Sequence, residues 1–155
     1  MQYAAELINK VVAGFDDLRI GIHVCRGNWS RKEETLLTGD YLPLLPAFTK
    51  MNVSQFVLEF ATPRAGEIEI VGKALNHKEL GLGVINPRTD EIESVEFIVG
   101  KVEKALESYS PEKIFLNTDC GFGCFAERCV NDEKNAFEKI KRMVEAAEIL
   151  RKKYS

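Results

Sequence analysis

The sequence predicts an α/β fold in which four parallel strands alternate with helices. Three observations support this. Four short runs rich in Ile, Val, Leu and Phe recur along the chain, and segments with helical spacing of apolar residues fill the gaps. The residues best suited to chemistry stand at the ends of the apolar runs. Such alternation is typical of a parallel sheet with right-handed crossovers. The length suits one core, so we predict a single domain over residues 1–155.

The four apolar runs are predicted to be strands buried on both faces. They are LRIGIHVC at residues 18–25, QFVLEFA at 55–61, LGLGVIN at 80–86 and KIFLNTDC at 113–120. Four such units make half of an eight-unit barrel, and they would also suit a small open α/β sheet.

Helical patterns surround these runs. The N-terminal segment and residues 91–108 and 132–153 are predicted helices, residues 40–51 a short or kinked helix because of Pro46, and residues 66–76 a weak helix or loop. Asp132 is the predicted N-cap of the last helix. The predicted inward-facing stripes are Tyr3, Leu7, Ile8, Val11 and Val12 in the first helix, Ile92, Val95, Ile98, Val99, Val102 and Leu106 in the fourth, and Phe137, Ile140, Met143, Val144, Ala147 and Leu150 in the last.

Composition limits the classes of function. Hydrophobic residues make up 45% of the chain and charged residues 29%, which excludes a disordered or collagen-like protein. The net charge of -3 and the lack of a basic stripe argue against a nucleic-acid partner. No apolar run is long enough to span a membrane, and the N-terminus lacks the apolar centre of a signal peptide. We therefore expect a cytoplasmic protein.

Potential metal ligands stand at the carboxyl ends of the predicted strands. His23 and Cys25 close the first run, Glu59 lies late in the second, and Cys120 ends the fourth. These strand ends converge in α/β proteins, and His23 and Cys25, two apart on a strand, face the same side. Imidazole, thiolate and carboxylate together suit zinc better than magnesium or calcium. The pattern therefore predicts a zinc site.

Each candidate ligand also has a simpler interpretation. A strand histidine is often a hydrogen-bonded core residue, and a buried cysteine often acts as a small hydrophobe. A carboxylate in a buried strand, such as Glu59, is costly unless it is paired or ligated. A redox or iron–sulfur role for Cys120, Cys124 and Cys129 is a weaker alternative, since their C-x3-C-x4-C spacing does not match the common cluster patterns. We interpret Cys124 and Cys129 as ordinary thiols.

Three segments resemble the C-terminal catalytic domain of cobalamin-independent methionine synthases and their shorter relatives. They are HVCRGN at 23–28, VLEF at 57–60 and NTDCGFG at 117–123. The resemblance implies strands five to eight of a (β/α)8 barrel. It also implies zinc bound by His23, Cys25, Glu59 and Cys120. In that family the homocysteine thiolate held at the zinc attacks the methyl group of a methyltetrahydrofolate.

Residues beside the ligands are candidates for further roles. Arg26 and Asn28, in the loop after the first strand, are predicted to bind substrate. The planar fork of Arg26 suits a carboxylate, although a solvated loop arginine is an equal alternative. Asp119 would accept a hydrogen bond from His23 or cap its loop. Trp29 would stack on a ligand or cover the barrel rim.

The chain departs from the family pattern in two ways. Methionine synthases carry a proton-transferring histidine after strand seven, where this chain has Asn86 and Arg88, and His77 precedes that strand. The methyl donor is therefore open. Four strands are also half a barrel, so we expect completion by a second copy or by a separate N-terminal half-barrel chain, unless the chain is a truncated product. The alternative function is a non-catalytic zinc-binding half-barrel fragment.

Overall fold

A computed structural model describes residues 2–123 and 125–154, apart from the side chain of Glu33. The prediction for Cys124 lies outside the described residues. Four strands form one sheet: β1 (Gly21–Val24), β2 (Gln55–Leu58), β3 (Glu79–Ile85) and β4 (Ile114–Thr118). All neighbours pair in parallel, in the order β1-β2-β3-β4. This confirms the predicted parallel (βα)4 arrangement, which matches a half-barrel.

The five predicted helical regions all contain helix. They are α1 (Gln2–Val12), α2 (Leu45–Phe48), α3 (Ile68–Leu75), α4 (Val95–Leu106) and α5 (Glu133–Tyr154). Pro46 lies within α2, which is four residues long and follows a 3-10 turn at Leu42–Leu44, so the prediction of a short helix is confirmed.

The helix starts are set by capping side chains. The Ser94 hydroxyl accepts a hydrogen bond from Phe97 N at 3.1 Å, so α4 begins at Val95 and the predicted helical residue Ile92 lies in the preceding loop. Asp132 Oδ1 accepts from Asn135 N at 2.9 Å, which confirms the predicted N-cap of α5.

The strands end earlier than the apolar runs do. Residues 59–61 lie beyond the end of β2, and residues 119 and 120 lie beyond the end of β4. The predicted ligands Glu59 and Cys120 therefore stand on extensions of the strands.

Along the sheet, residues in register form a row that faces one side. His23 pairs with Val57, Val57 with Gly81, and Gly81 with Phe115. The intervening residues, such as Leu58 and Leu82, are fully buried beneath the helices. The core therefore lies between the sheet and its helices, while the row that begins at His23 faces away from them.

The inward-facing prediction for α5 is wrong for three residues. Phe137 is 67% exposed, and Ile140 and Val144 are also exposed, whereas Lys139 is fully buried. The helix is turned because Lys139 Nζ donates to Glu93 Oε2 at 2.9 Å and to the carbonyl of Glu91.

The prediction for α1 is likewise wrong for part of its stripe. Tyr3, Leu7 and Val11 are exposed, and only Ile8 of the predicted stripe packs against the core. The helices at the two ends of the sheet, α1 and α5, thus each leave a row of apolar side chains exposed. Within the described residues, no helix has the length and apolar character needed to cross a membrane.

Candidate metal centre

The four predicted ligands meet at the carboxyl end of the sheet. His23 lies in β1, Cys25 directly follows β1, Glu59 directly follows β2, and Cys120 lies two residues after β4. One donor atom from each of the four side chains lies within 4.8 Å of the other three. Three separate strands therefore deliver one nitrogen, two sulfurs and one oxygen to the same point.

The separations between donors suit a single ion. Cys25 Sγ and Cys120 Sγ are 4.0 Å apart, and His23 Nε2 lies 3.8 Å from Glu59 Oε1. Two sulfurs bound tetrahedrally to zinc at about 2.3 Å would stand about 3.8 Å apart. A disulfide would need about 2.05 Å. The chemistry and spacing of the donors therefore fit zinc.

Glu59 is held on both oxygens. The backbone N–H of Arg26 donates to Oε1 at 3.1 Å, and the side-chain amide of Asn28 donates to Oε2. Burial raises the pKa of Glu59, and the hydrogen bond from Arg26 N opposes that rise. The carboxylate is 2% exposed, so these donors and a bound cation would together offset the cost of burying its charge.

His23 is oriented by the backbone rather than by Asp119. Its Nδ1 lies 3.2 Å from the carbonyl oxygen of Val57, so a proton on Nδ1 leaves Nε2 free to face the other donors. Asp119 instead accepts hydrogen bonds from Phe60 N and Ala61 N, so the predicted bond to His23 is wrong. The amides that it caps follow β2 rather than lying in its own loop after β4. Burial raises the pKa of Asp119 to about 7.

Cys25 also receives a backbone donor. The N–H of Gly27 donates to Cys25 Sγ at 3.5 Å. Gly27 has φ +96°, and a Cβ there would lie 2.3 Å from the carbonyl oxygen of Thr35. Only glycine fits this turn, which explains why a glycine follows Arg26 in the tight loop after β1.

Arg26 and Asn28, the predicted substrate-binding residues, are both buried. The guanidinium of Arg26 donates to the carbonyls of Arg64 and Leu37 at 3.1 Å each and to that of Gly39, and it lies 5.3 Å from the ring centroid of Tyr41. These contacts tie the start of the loop after β1 to the later part of the same loop and to the segment after β2. Substrate contact by either residue stays a prediction.

Tyr41 is a site residue that the sequence analysis missed. Its hydroxyl oxygen accepts a hydrogen bond from Glu59 N at 2.9 Å, and its side chain is 1% exposed. In the sequence Tyr41 belongs to residues 40–51, which are predicted only as a short or kinked helix. A burial pattern alone does not distinguish a tyrosine that fills the core from one that also holds a strand extension.

The loops at the rim are tied together. Arg88 Nε donates to Ser30 O at 2.6 Å, and Arg31 Nε donates back to Arg88 O at 2.9 Å. Trp29 and Phe125 meet edge to face with centroids 6.1 Å apart, which places Trp29 on the rim. His77 lies between α3 and β3, at the opposite end of the sheet, and is exposed.

The site faces solvent on one side. His23 and Cys25 are exposed and Cys120 is half-buried, whereas Glu59 lies at the bottom. Cys129 is exposed and lies outside this cluster as far as the described residues show. The arrangement defines a class of protein: a parallel α/β half-barrel with a candidate metal centre at the carboxyl ends of its strands.

Comparison with known proteins gives the family. Residues 2–149 match the family described as the catalytic domain of cobalamin-independent synthase. The chain is 37% identical over 149 residues to the methionine synthase of Pyrococcus horikoshii, covering 96% of this chain and 38% of that protein. It is 26% identical over 151 residues to the methionine synthase of Saccharolobus solfataricus, covering 97% and 40%. The chain belongs to the cobalamin-independent methionine synthase family.

Solved structures show the same fold. The B12-independent methionine synthase of Shewanella sp. W3-18-1, solved in complex with selenomethionine, superposes with a TM-score of 0.81 at 21% identity. The match covers 97% of this chain and 43% of that one. The chain thus spans about two fifths of the length of the relatives it matches.

Proposed function

We propose that this chain is the metal-binding half of a zinc-dependent methyltransferase that transfers a methyl group to a thiol. Homocysteine is the proposed acceptor and a methyltetrahydrofolate the proposed donor, as in the family. The observation that carries the proposal is the convergence of His23, Cys25, Glu59 and Cys120 within 4.8 Å of one another. The reducing cytoplasm is the compartment in which both cysteines would stay free.

Zinc at this site would supply a Lewis acid that lowers the pKa of an incoming thiol, so that the sulfur is deprotonated near neutral pH. The chain's own residues prepare the position. Asn28 and Arg26 N hold Glu59, Val57 O holds His23, and Gly27 N donates to Cys25. Ligands fixed in this way would hold a metal in one place, so that a sulfur bound to it would be oriented for attack on the methyl group.

Among the described residues, no second histidine lies beside the proposed ligands. The chain has two histidines, one a proposed ligand and the other, His77, at the far end of the sheet. Asn86 and Arg88 are engaged in the loop after β3: Asn86 N donates to Glu93 at 2.7 Å, and Asn86 Oδ1 accepts from Arg88 N at 3.0 Å. We propose that proton transfer and binding of the methyl donor depend on the other half of the barrel.

The open edges and exposed helices favour a separate half-barrel over a second copy. In a (β/α)8 ring each helix covers the groove between two neighbouring strands. Here α1 precedes β1 and α5 follows β4. In a ring closed by two copies, α5 of one copy and α1 of the other would compete for one groove. A partner with four strands and only the three helices between them completes the ring.

A partner of this kind would bury the exposed apolar side chains of α1 and α5. The mass of the purified protein in solution tests this, alone and after co-expression with the part of the Pyrococcus horikoshii relative that this chain does not match. We expect a one-to-one complex. A stable monomer that does not bind the co-expressed fragment would contradict the proposal.

The alternative is a closed structural zinc site with no catalytic role. Thiol binding separates the two, because a structural site keeps no open position. We propose to load the protein with Co²⁺ and follow its absorption during titration with homocysteine, with homoserine as the control lacking sulfur. A change with homocysteine alone supports the methyltransferase. Identical spectra with both compounds would favour the structural site.

A further inference from the structure

Residues 59–61 carry a ligand but lie beyond the sheet. β2 ends at Leu58, and Glu59, Phe60 and Ala61 are 2%, 1% and 7% exposed. Buried backbone N–H groups need partners, and here side chains from other elements provide them. Tyr41 accepts from Glu59 N, and Asp119 accepts from the next two amides.

Asp119 directly follows β4, a strand that is not a neighbour of β2 in the sheet. Its Oδ1 accepts from Phe60 N at 3.0 Å and from Ala61 N at 3.0 Å, and its Oδ2 lies 3.3 Å from Ala61 N. Its own backbone N–H donates to Ile85 O at 2.8 Å. Since β3 lies between β2 and β4, the side chain of Asp119 reaches across β3 to the end of β2.

The absence of a side chain at Gly83 in β3 leaves the space through which the Asp119 side chain crosses this strand. A Cβ at Gly83 would lie 2.1 Å from Asp119 Oδ1 and 2.8 Å from Leu58 O. The first of these contacts is far below van der Waals separation, and the second is to backbone, which cannot move aside as a side-chain end can. The missing side chain at residue 83 is therefore what allows the carboxylate to reach the two amides.

We infer that Asp119 is a positioning residue, which sets the separation of Glu59 and Cys120 through Gly83. The inference rests on the proposed zinc site. Asp119 is joined to Cys120 by one peptide bond, and its carboxylate binds the amides directly after Glu59. Two ligands from non-adjacent strands are thereby linked by one side chain, so that loosening it changes the shape of the donor set.

The affinity for zinc tests this inference directly. Asp119→Asn keeps the shape but weakens acceptance of the two amides, and Gly83→Ala obstructs the passage. Gly100→Ala is the matched control, because a Cβ there meets nothing within 4 Å. In competition with a chromophoric chelator, we expect roughly a 10–100-fold weaker affinity for both site variants, as for other residues that orient metal ligands, and no change for the control.

A double-mutant cycle shows whether Asp119 acts through Glu59. In a Glu59→Ala background, Asp119→Asn should cost little further affinity, since the ligand that it positions is already gone. Fully additive losses, or wild-type affinity in Asp119→Asn, would overturn the inference. If that variant does not fold by circular dichroism, unchanged zinc affinity in Gly83→Ala would overturn it instead. Failure of the wild-type protein to bind zinc would refute the proposed site itself.

Discussion

Substitution of Lys139 should lower the stability of the fold strongly. It is fully buried, and its ammonium group donates to Glu93 Oε2 at 2.9 Å and to the carbonyl of Glu91. Glu93 in turn accepts from Asn86 N at 2.7 Å. In Lys139→Met, the largely buried Glu93 carboxylate would lose its cationic partner. Removing one partner of a buried ion pair costs about 3 to 5 kcal/mol.

Urea denaturation of the metal-free protein measures this cost as a shift of the unfolding midpoint. Lys141→Met is the matched control, since Lys141 is an exposed lysine of the same helix. The double variant Lys139→Met/Glu93→Gln should recover part of the loss, because the uncompensated charge is removed. A loss below about 1 kcal/mol in Lys139→Met, within the range of a surface pair, would refute the reasoning.

Three further predictions concern the proposed metal centre. Asn28→Ala removes the donor to Glu59 Oε2; a hydrogen bond to a charged group contributes about 1.5 to 3 kcal/mol, so zinc affinity should fall roughly 10–150-fold in a competition titration. Gly27→Ala should lower the unfolding free energy by roughly 1 to 3 kcal/mol in urea, and by more than Gly14→Ala, whose φ of +85° is similar but whose Cβ would meet nothing. Zinc affinity should fall steadily from pH 8 to pH 6, because zinc binding releases protons from two thiols. Burial also raises the pKa of Glu59, so that protons compete with zinc at this carboxylate at higher pH than at an exposed one. A pH-independent affinity would contradict the ligand set.

The strands and the ligand cluster could be predicted because they depend on short patterns. Each apolar run contains one strand, and parallel strands place their carboxyl ends at one edge. The two-residue spacing of His23 and Cys25 at the end of a predicted strand indicates that both face the same side.

The contacts that hold the ligands could not be predicted, because they join residues far apart in the chain. Asp119 binds amides 58 and 59 residues away, and nothing in its local sequence indicates that reach. A usable signal was the pair of glycines in β3, Gly81 and Gly83, which marks a strand that another group approaches closely.

The prediction of which face of α5 points inward was wrong for a related reason. Periodicity locates an apolar stripe but assumes that the chain itself covers it. Here Lys139 turns inward to pair with Glu93, while Phe137 and Val144 stay exposed. A stripe left uncovered by its own chain is what a surface that packs against further protein would show.

Metal content tests the central claim most directly. Elemental analysis would be made on protein purified without a metal-affinity tag, for the wild type and for Cys120→Ser, with Cys129→Ser as the control cysteine outside the cluster. The account predicts about one zinc per chain in the wild type and in Cys129→Ser, as four ligands around one ion require, and its loss in Cys120→Ser. A wild-type protein without zinc, or equal zinc in all three proteins, would contradict it.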